Sequence, residues 1–378
     1  MYKWIQRAQD NDPEWYLDES RAPKLNANKL DPKVETVIVQ TRQQLVRRDT
    51  PETRYAYHGA VAIHQRLDQL GYRLKPHPST INRVLKRNNL IDPPHPSGDP
   101  TAPKKYYPDM QAEYPGYLYE LDLVTPRYIS GYGRVISVNR VDVFSSQANL
   151  DQYLSKAAES IIDFVTNDWK EYPKPSFLKI DNESSFRGSL YHPRTFGKLT
   201  RFCLNFGVQL IFIPFSEPWR NPYIESFNGR FNKQVWLSQK IRDLNHLKRE
   251  SRRFRDQHNS YQRYRKEQFG TQQVRSSTIT RFPKRFAFDP SIDLPITPGK
   301  IHFIRWVDEK GYINILNESF FVDKNLCCEY VWSTINTAKQ TLTMHYQASA
   351  DAPRLLVKAI EYKLREPIRE RIPSNRFC

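Results

Sequence analysis

Residues 117–124 read YLYELDLV, and residues 133–150 read GRVISVNRVDVFSSQANL. Both stretches are dense in β-branched and aromatic residues, so they are read as a first strand and two further strands of one sheet. SKAAESIIDFVTNDWK (155–170) then carries apolar residues at helical spacing. FLKI (177–180) is a short buried strand, TFGKLTRFCLNFG (195–207) a helix and VQLIFIPF (208–215) a strand. With a long helical stretch following from about 222 to 268, this order is α/β and predicts a mixed sheet with helices packed on its faces.

Upstream, the periodicity is helical. Val34, Val37, Ile38, Thr41 and Leu45 recur behind Asp31-Pro32, and YHGAVAIHQRLDQLG (57–71) closes on a glycine stop. In HPSTINRVLKRNNLI (77–91), Ser79 or Thr80 is the expected cap and Ile81, Val84, Leu85 and Leu90 form the buried stripe. That leaves Asn82, Arg83, Lys86 and Arg87 outward. Three short helices ending in one with amide and basic side chains describe a helix-turn-helix whose last helix enters the DNA major groove; the plainer reading is a three-helix bundle with a solvated basic face. DPPHPSGDPTAPKKYYPD, which follows, is Pro-loaded and marks a boundary. Downstream, residues 302–346 show several short strands between turns, for which a small β-barrel is the economical reading.

The expected organisation is therefore a lead-in (1–30), a helix-turn-helix domain (31–92), a linker (93–114), a catalytic α/β core with a basic C-terminal helix (115–268), a linker (269–298), a small barrel (299–347) and a basic tail (348–378). At 378 residues the chain exceeds one ordinary domain, and 39% hydrophobic content supports real cores. Its net charge of +17 favours polyanionic partners over neutral ones, nucleic acid first; the alternative is a soluble basic enzyme. Sixteen Lys or Arg against four Asp or Glu lie between 226 and 287. Arg230, Lys233, Arg249, Arg252 and Arg253 among them are expected on a DNA backbone track. Cys203, Cys327, Cys328 and Cys378 form no C-x-x-C pair, which argues against a zinc site and fits a reducing compartment. No apolar run approaches the roughly 20 residues of a membrane span, and no secretory pattern follows Met1, so a cytoplasmic, nucleoid-associated protein is expected.

Three carboxylates stand where chemistry is placed. Asp122 interrupts an apolar strand, Asp181 directly follows a buried one, and Glu225 lies about one turn into a helix opened by Asn221-Pro222. Singly, each has an ordinary reading, as a solvated strand face, a turn Asp and an exposed helical Glu. Together they describe one arrangement in which a sheet edge gathers three carboxylates, as two-metal phosphoryl transfer requires.

At these residues the chain resembles the DDE transposases of the retroviral-integrase superfamily, within them the bacterial insertion-sequence transposases with an N-terminal helix-turn-helix. YLYELDLV resembles the strand of the first Asp, VNRVDVFSSQA the Asp-Phe-Ser segment, LKIDNESSF the second Asp segment, and WRNPYIESFNGRFNKQVW the Glu helix. The resemblance implies a ribonuclease H-like core with Asp122, Asp181 and Glu225 as catalytic metal ligands. Asp122 is shared between two Mg²⁺ or Mn²⁺ ions, and Asp142 is structural. It further implies double-stranded DNA partners (element ends and target), a homo-oligomer on DNA, and end cleavage followed by strand transfer. The rival readings are a catalytically silent, transposase-derived DNA-binding protein and a metal-dependent nuclease without joining activity. Three departures stand out: Glu183 replaces the family's usual Gly, the step of 44 residues from Asp181 to Glu225 is longer than usual, and YKWIQRAQ resembles the tail of a further DNA-binding module.

Overall fold

The computed structural model describes residues 2–9, 30–73, 75–91, 105–187, 192–270, 280–373 and 377. Helix α1 (Tyr2–Gln9) is followed by α2 (Pro32–Arg47), α3 (Ala60–Gln69) and α4 (Pro78–Arg87). The Asp31 carboxylate accepts from the Lys33 N–H at 2.8 Å, and Pro32 fixes the first turn of α2. Ile38, Leu45, Ile63, Leu67, Ile81, Val84 and Leu85 close a core of their own. The cap of α4 is His77, not Ser79 or Thr80: Pro78 takes the first helical position, and the His77 ring accepts from the Ser79 N–H at 3.3 Å. Eight residues separate α3 from α4, more than the three or four of a tight helix-turn-helix.

The α/β core follows the expected order. It comprises β1 (Leu118–Ile129), β2 (Gly133–Asp142), β3 (Ala148–Tyr153), α5 (Ala158–Glu171), β4 (Phe177–Ile180), α6 (Ser184–Arg187), α7 (Lys198–Asn205), β5 (Gln209–Phe212), α8 (Pro222–Phe231) and α9 (Leu244–Phe269). β1, β2 and β3 run antiparallel, while β4 joins β1 and β5 joins β4 in parallel. The β1–β2 register shifts between Val124 and Arg127, where Pro126 offers no N–H to the ladder. The stretch read as one long helix from 222 is two. A π-helical turn at Asn232–Trp236 ends the first, and Asp243 opens the second by accepting from the His246 N–H at 2.7 Å.

The C-terminal strands are β6 (Lys300–Trp306), β7 (Tyr312–Ile315), β8 (Glu318–Phe321), β9 (Tyr330–Asn336), β10 (Thr341–Tyr346) and β11 (Leu355–Glu361). They do not form the expected separate barrel. β6 pairs in parallel with β5, giving one sheet in the order β11-β10-β9-β6-β5-β4-β1-β2-β3, with β7 and β8 a hairpin apart. Among the described residues no pairing returns β11 to β6. The physical reason lies in β5, whose apolar outer edge needs a partner, and in β6, which is buried over Ile301–Arg305 and so reads alike as barrel or central strand. Nor is the 269–298 segment a plain linker: Phe282 and Phe286 stack at 4.1 Å, and Phe282 packs on Trp169, Phe202 and Phe206. The expected tail contains β11, and Phe377 joins the same aromatic cluster.

Candidate active site

The parallel register of β1 and β4 sets Glu120 beside Lys179. Asp122 and Asp181 each stand two residues further on, at the same edge of the sheet, because side chains repeat every two residues. α8 reaches that edge through its first turn: the Glu120 carboxylate accepts from the Ile224 N–H at 2.9 Å, and the Glu225 N–H donates to the Asn221 carbonyl at 3.0 Å. One buried glutamate on β1 thus caps the helix that carries Glu225. Asp122 and Asp181 are half-buried and Glu225 is exposed.

The three carboxylates feel one another. Burial, then the charges of Asp181 and Glu225, push the Asp122 carboxyl up to about 7, against donation from the Leu123 N–H and Asn228. Burial raises Asp181 against donation from the Glu183 N–H, and burial followed by the charge of Asp181 raises Glu225. Among the described residues no group of three His, Cys, Asp or Glu is already drawn together as a metal cage. The donor set nonetheless fits hard divalent cations: it is all carboxylate, and its burial and mutual repulsion are what a cation would relieve.

Polar rows behind these carboxylates escaped the sequence reading. Asn228 Nδ2 donates to Asp122 Oδ2 at 2.8 Å, Asn139 Nδ2 donates to Asn228 Oδ1 at 2.7 Å, and Ser137 Oγ donates to Asn139 Oδ1 at 2.8 Å. Gln152 continues the row to Ser251 on α9 at 2.9 Å. Beneath the site, buried Lys179 donates to Glu120 at 3.3 Å and to Asp109 at 3.0 Å. A signal for this pair existed, since ELD and KID place an acid and a base at the same offset before each Asp.

The loops are braced as well. Asn182 donates to the Ile213 carbonyl at 2.7 Å and accepts from buried Arg305 of β6 at 2.8 Å, so the C-terminal strands hold the loop of Asp181. Glu183 occupies no positive-φ position, so glycine is not required there. Lys156 draws its carboxylate aside at 3.0 Å and holds its pKa below the ordinary range. Before α8, Glu217 and Arg220 are clamped to Tyr330, with the Arg220 guanidinium also over Tyr107, while Trp219 between them is 61% exposed. Asp142 accepts from Gly116, Phe144 and Ser145, a purely structural set of partners.

On α4, Ser79, Asn82, Arg83, Lys86 and Arg87 are exposed and Thr80 half-buried; Arg87 is held by Glu35 at 2.7 Å. The residues expected to track DNA divide. Lys233, Arg249, Arg252 and Arg253 are exposed, although Arg253 is paired with Glu250 at 2.9 Å. Arg230 is instead part of a joint between the three-helix unit and the core, donating to the Tyr55 carbonyl and lying over the Tyr57 ring. α9 supplies most of that joint: Tyr55 donates to Glu250 at 2.7 Å, Tyr57 stacks on Tyr261 at 3.9 Å, and His64 meets the Tyr264 hydroxyl at 2.7 Å.

Sheet order and helix placement define a mixed α/β core, with the three carboxylates carried by β1, the end of β4 and α8. In sequence, residues 206–265, spanning β5, α8 and most of α9, match the family described as Integrase core domain. Among solved structures, the magnesium complex of the HTLV-2 integrase catalytic core in its trimeric form is 16% identical, over 37% of this chain and 85% of that one, with a TM-score of 0.29. The simian T-cell lymphotropic virus intasome in complex with PP2A regulatory subunit B56 gamma is 11% identical, over 81% of this chain and 99% of that one, with a TM-score of 0.32. No curated protein matches the chain. Among the described residues no helix is long and apolar enough to cross a membrane.

Proposed function

We propose that this chain is a DNA transposase that cuts the ends of its own element and joins them to target DNA. One observation supports the reading: β1, the end of β4 and a helix capped by Glu120 of β1 carry Asp122, Asp181 and Glu225, and the charge of Asp181 reaches both of the others. Bound Mg²⁺ or Mn²⁺ would supply Lewis-acid activation and charge neutralisation at the scissile phosphate. Asp122, Asp181 and Glu225 would hold the ions, and Asn228, which donates to Asp122, would orient that carboxylate toward them. Ser79, Thr80, Asn82, Arg83, Lys86 and Arg87 present the DNA-reading surface, while Lys233, Arg249, Arg252 and Arg253 add backbone contacts. Joining two DNA ends calls for more than one copy of the chain on double-stranded DNA.

The test incubates purified protein with duplexes taken from the DNA flanking its coding sequence and with a target plasmid, in Mg²⁺, Mn²⁺ or chelator, and maps nicks and joints. Asp122→Asn, Asp181→Asn and Glu225→Gln should each abolish both products, without additivity in combination, and leave duplex binding intact. Binding without nicking in either metal would favour the silent DNA-binding reading. Nicks without joints would favour a nuclease.

A further inference from the structure

Between the three-helix unit and the end of α8 lies a cleft of about 500 Å³ whose wall includes Arg42, Arg48, His58, Asn82, Arg230 and Lys233. Among the described residues no Asp or Glu lines it. Arg48, Arg230 and Lys233 bring three positive charges to one partly enclosed space, a setting that favours an anion.

Arg48 marks the purpose of the cleft. It ends α2 at φ 55, in the left-handed region where glycine is the usual occupant because a Cβ crowds the backbone. The chain places a long cation there instead. Its Nε is buried with no hydrogen-bond partner, although a buried donor ordinarily has one. Arg48 and Arg230 share the wall of the cleft, and burial, opposed by Tyr57, with the charge of Arg48 added, holds the Arg230 guanidinium below its ordinary pKa. Lys233, in the π-helical turn, is exposed and makes no hydrogen bond or ion pair among the described residues. Forked guanidinium donors suit a phosphate oxyanion in particular.

The cleft is also well placed. Asn82 brings the outward face of α4 to its wall, and Arg230 follows Glu225 by five residues, about 7.5 Å along the same helix. We infer that this cleft is a phosphodiester site, in which Arg48 and Lys233 hold one backbone phosphate of a DNA duplex that passes from α4 toward the carboxylate site, while Arg230, its donors taken by Tyr55, His258 and Gln234, adds its charge from behind. The DNA part rests on the proposed function; the oxyanion chemistry of the cleft does not.

Arg48→Gly separates the two roles of this residue, because glycine suits φ 55 and the anion-free melting temperature should stay level or rise. The full-length protein is melted in sodium sulfate against chloride at matched ionic strength, and duplex affinity is followed across salt. Sulfate should raise the melting temperature of the wild type more than that of the variant, whose smaller rise is the general effect of an excluded salt. The slope of log affinity against log salt should fall by about 0.9, the loss of one phosphate contact. Equal sulfate stabilisation and equal slopes in both proteins would overturn the site. Sulfate stabilisation reduced in the variant with an unchanged slope would overturn the DNA assignment and leave a free-oxyanion site. Absence of duplex binding by the wild type would overturn the proposed function and the DNA assignment together, while the sulfate arm would still decide whether the cleft takes an oxyanion.

Discussion

Asn228 can satisfy its two neighbours in only one orientation. Its amide nitrogen faces Asp122 because its oxygen is claimed by Asn139, whose own oxygen is claimed by Ser137. The direction of a surface-edge carboxylate is therefore set by a buried row of amides and hydroxyls, and outer partners of this kind tune a ligand's metal affinity by roughly 10–100-fold. Asn228→Ala should raise the Mg²⁺ concentration for half-maximal nicking by about that factor while costing about 1–3 kcal/mol through the unpaired Asn139 amide. Metal titration of nicking and thermal melting check the two parts separately; an unchanged Mg²⁺ midpoint would remove Asn228 from the site. In the sequence Asn228 was one letter of a motif. Its purpose emerges only once β2 lies against α8, a pairing that the spacing of 139 and 228 does not reveal.

At the level of elements, α9 shows how charge can mislead. Its density of basic residues reads as a DNA track, yet buried Glu250 gathers Arg54, Arg249 and Arg253 within 3.7 Å and accepts from Tyr55, so part of that charge holds the joint together. His258 lies at the same joint, with Nδ1 toward Tyr57 and Arg230 and Nε2 toward the Ser146 carbonyl. Burial first, then the charge of Arg230, lower its pKa to about 4 from an ordinary 6.5. Because the folded pKa is depressed for a base, the unfolded chain binds more protons between those values, and stability falls as pH drops through the window. The His258 share should reach about 2 kcal/mol at pH 5. His302, lowered to about 3, titrates in the same direction, so melts at pH 7 and pH 5 are compared between wild type and His258→Asn. The variant should lose the smaller amount on acidification, and equal losses would exclude this ring as the group responsible. β1, β4 and α8 were legible because Pro222, the apolar runs and the alternation are local signals. The break at Asn232–Trp236 was not, since no Pro or Gly within it announces a π-helical turn.

For the molecule as a whole, the sheet extends well beyond the α/β core of β1 to β5. β6 closes the edge of β5, Phe303 stacks on Phe212 at 5.1 Å, and Arg305 reaches across to Asn182 beside Asp181. The strands themselves could be found in the sequence, but their destination could not, because a run buried on both faces fits a barrel wall as well as a sheet interior. A chain ended at Phe269 should therefore self-associate and lose cooperative melting, as it uncovers an unpaired apolar strand and the loop of the second Asp; sedimentation and thermal melting check this against the full chain, and a monomer melting normally would show the C-terminal strands to be dispensable. The opposite border of the sheet is finished differently. On β3, the Asn259 side chain accepts from the Ala148 N–H at 2.8 Å and donates to its carbonyl at 2.9 Å, imitating the backbone of an absent neighbour. On β11, Leu355 and Leu356 remain exposed, and among the described residues no strand lies beyond them. In the language of polymer chemistry, one end of this nine-strand ladder is capped at Ala148 and the other is living, open to an added strand along Leu355–Glu361.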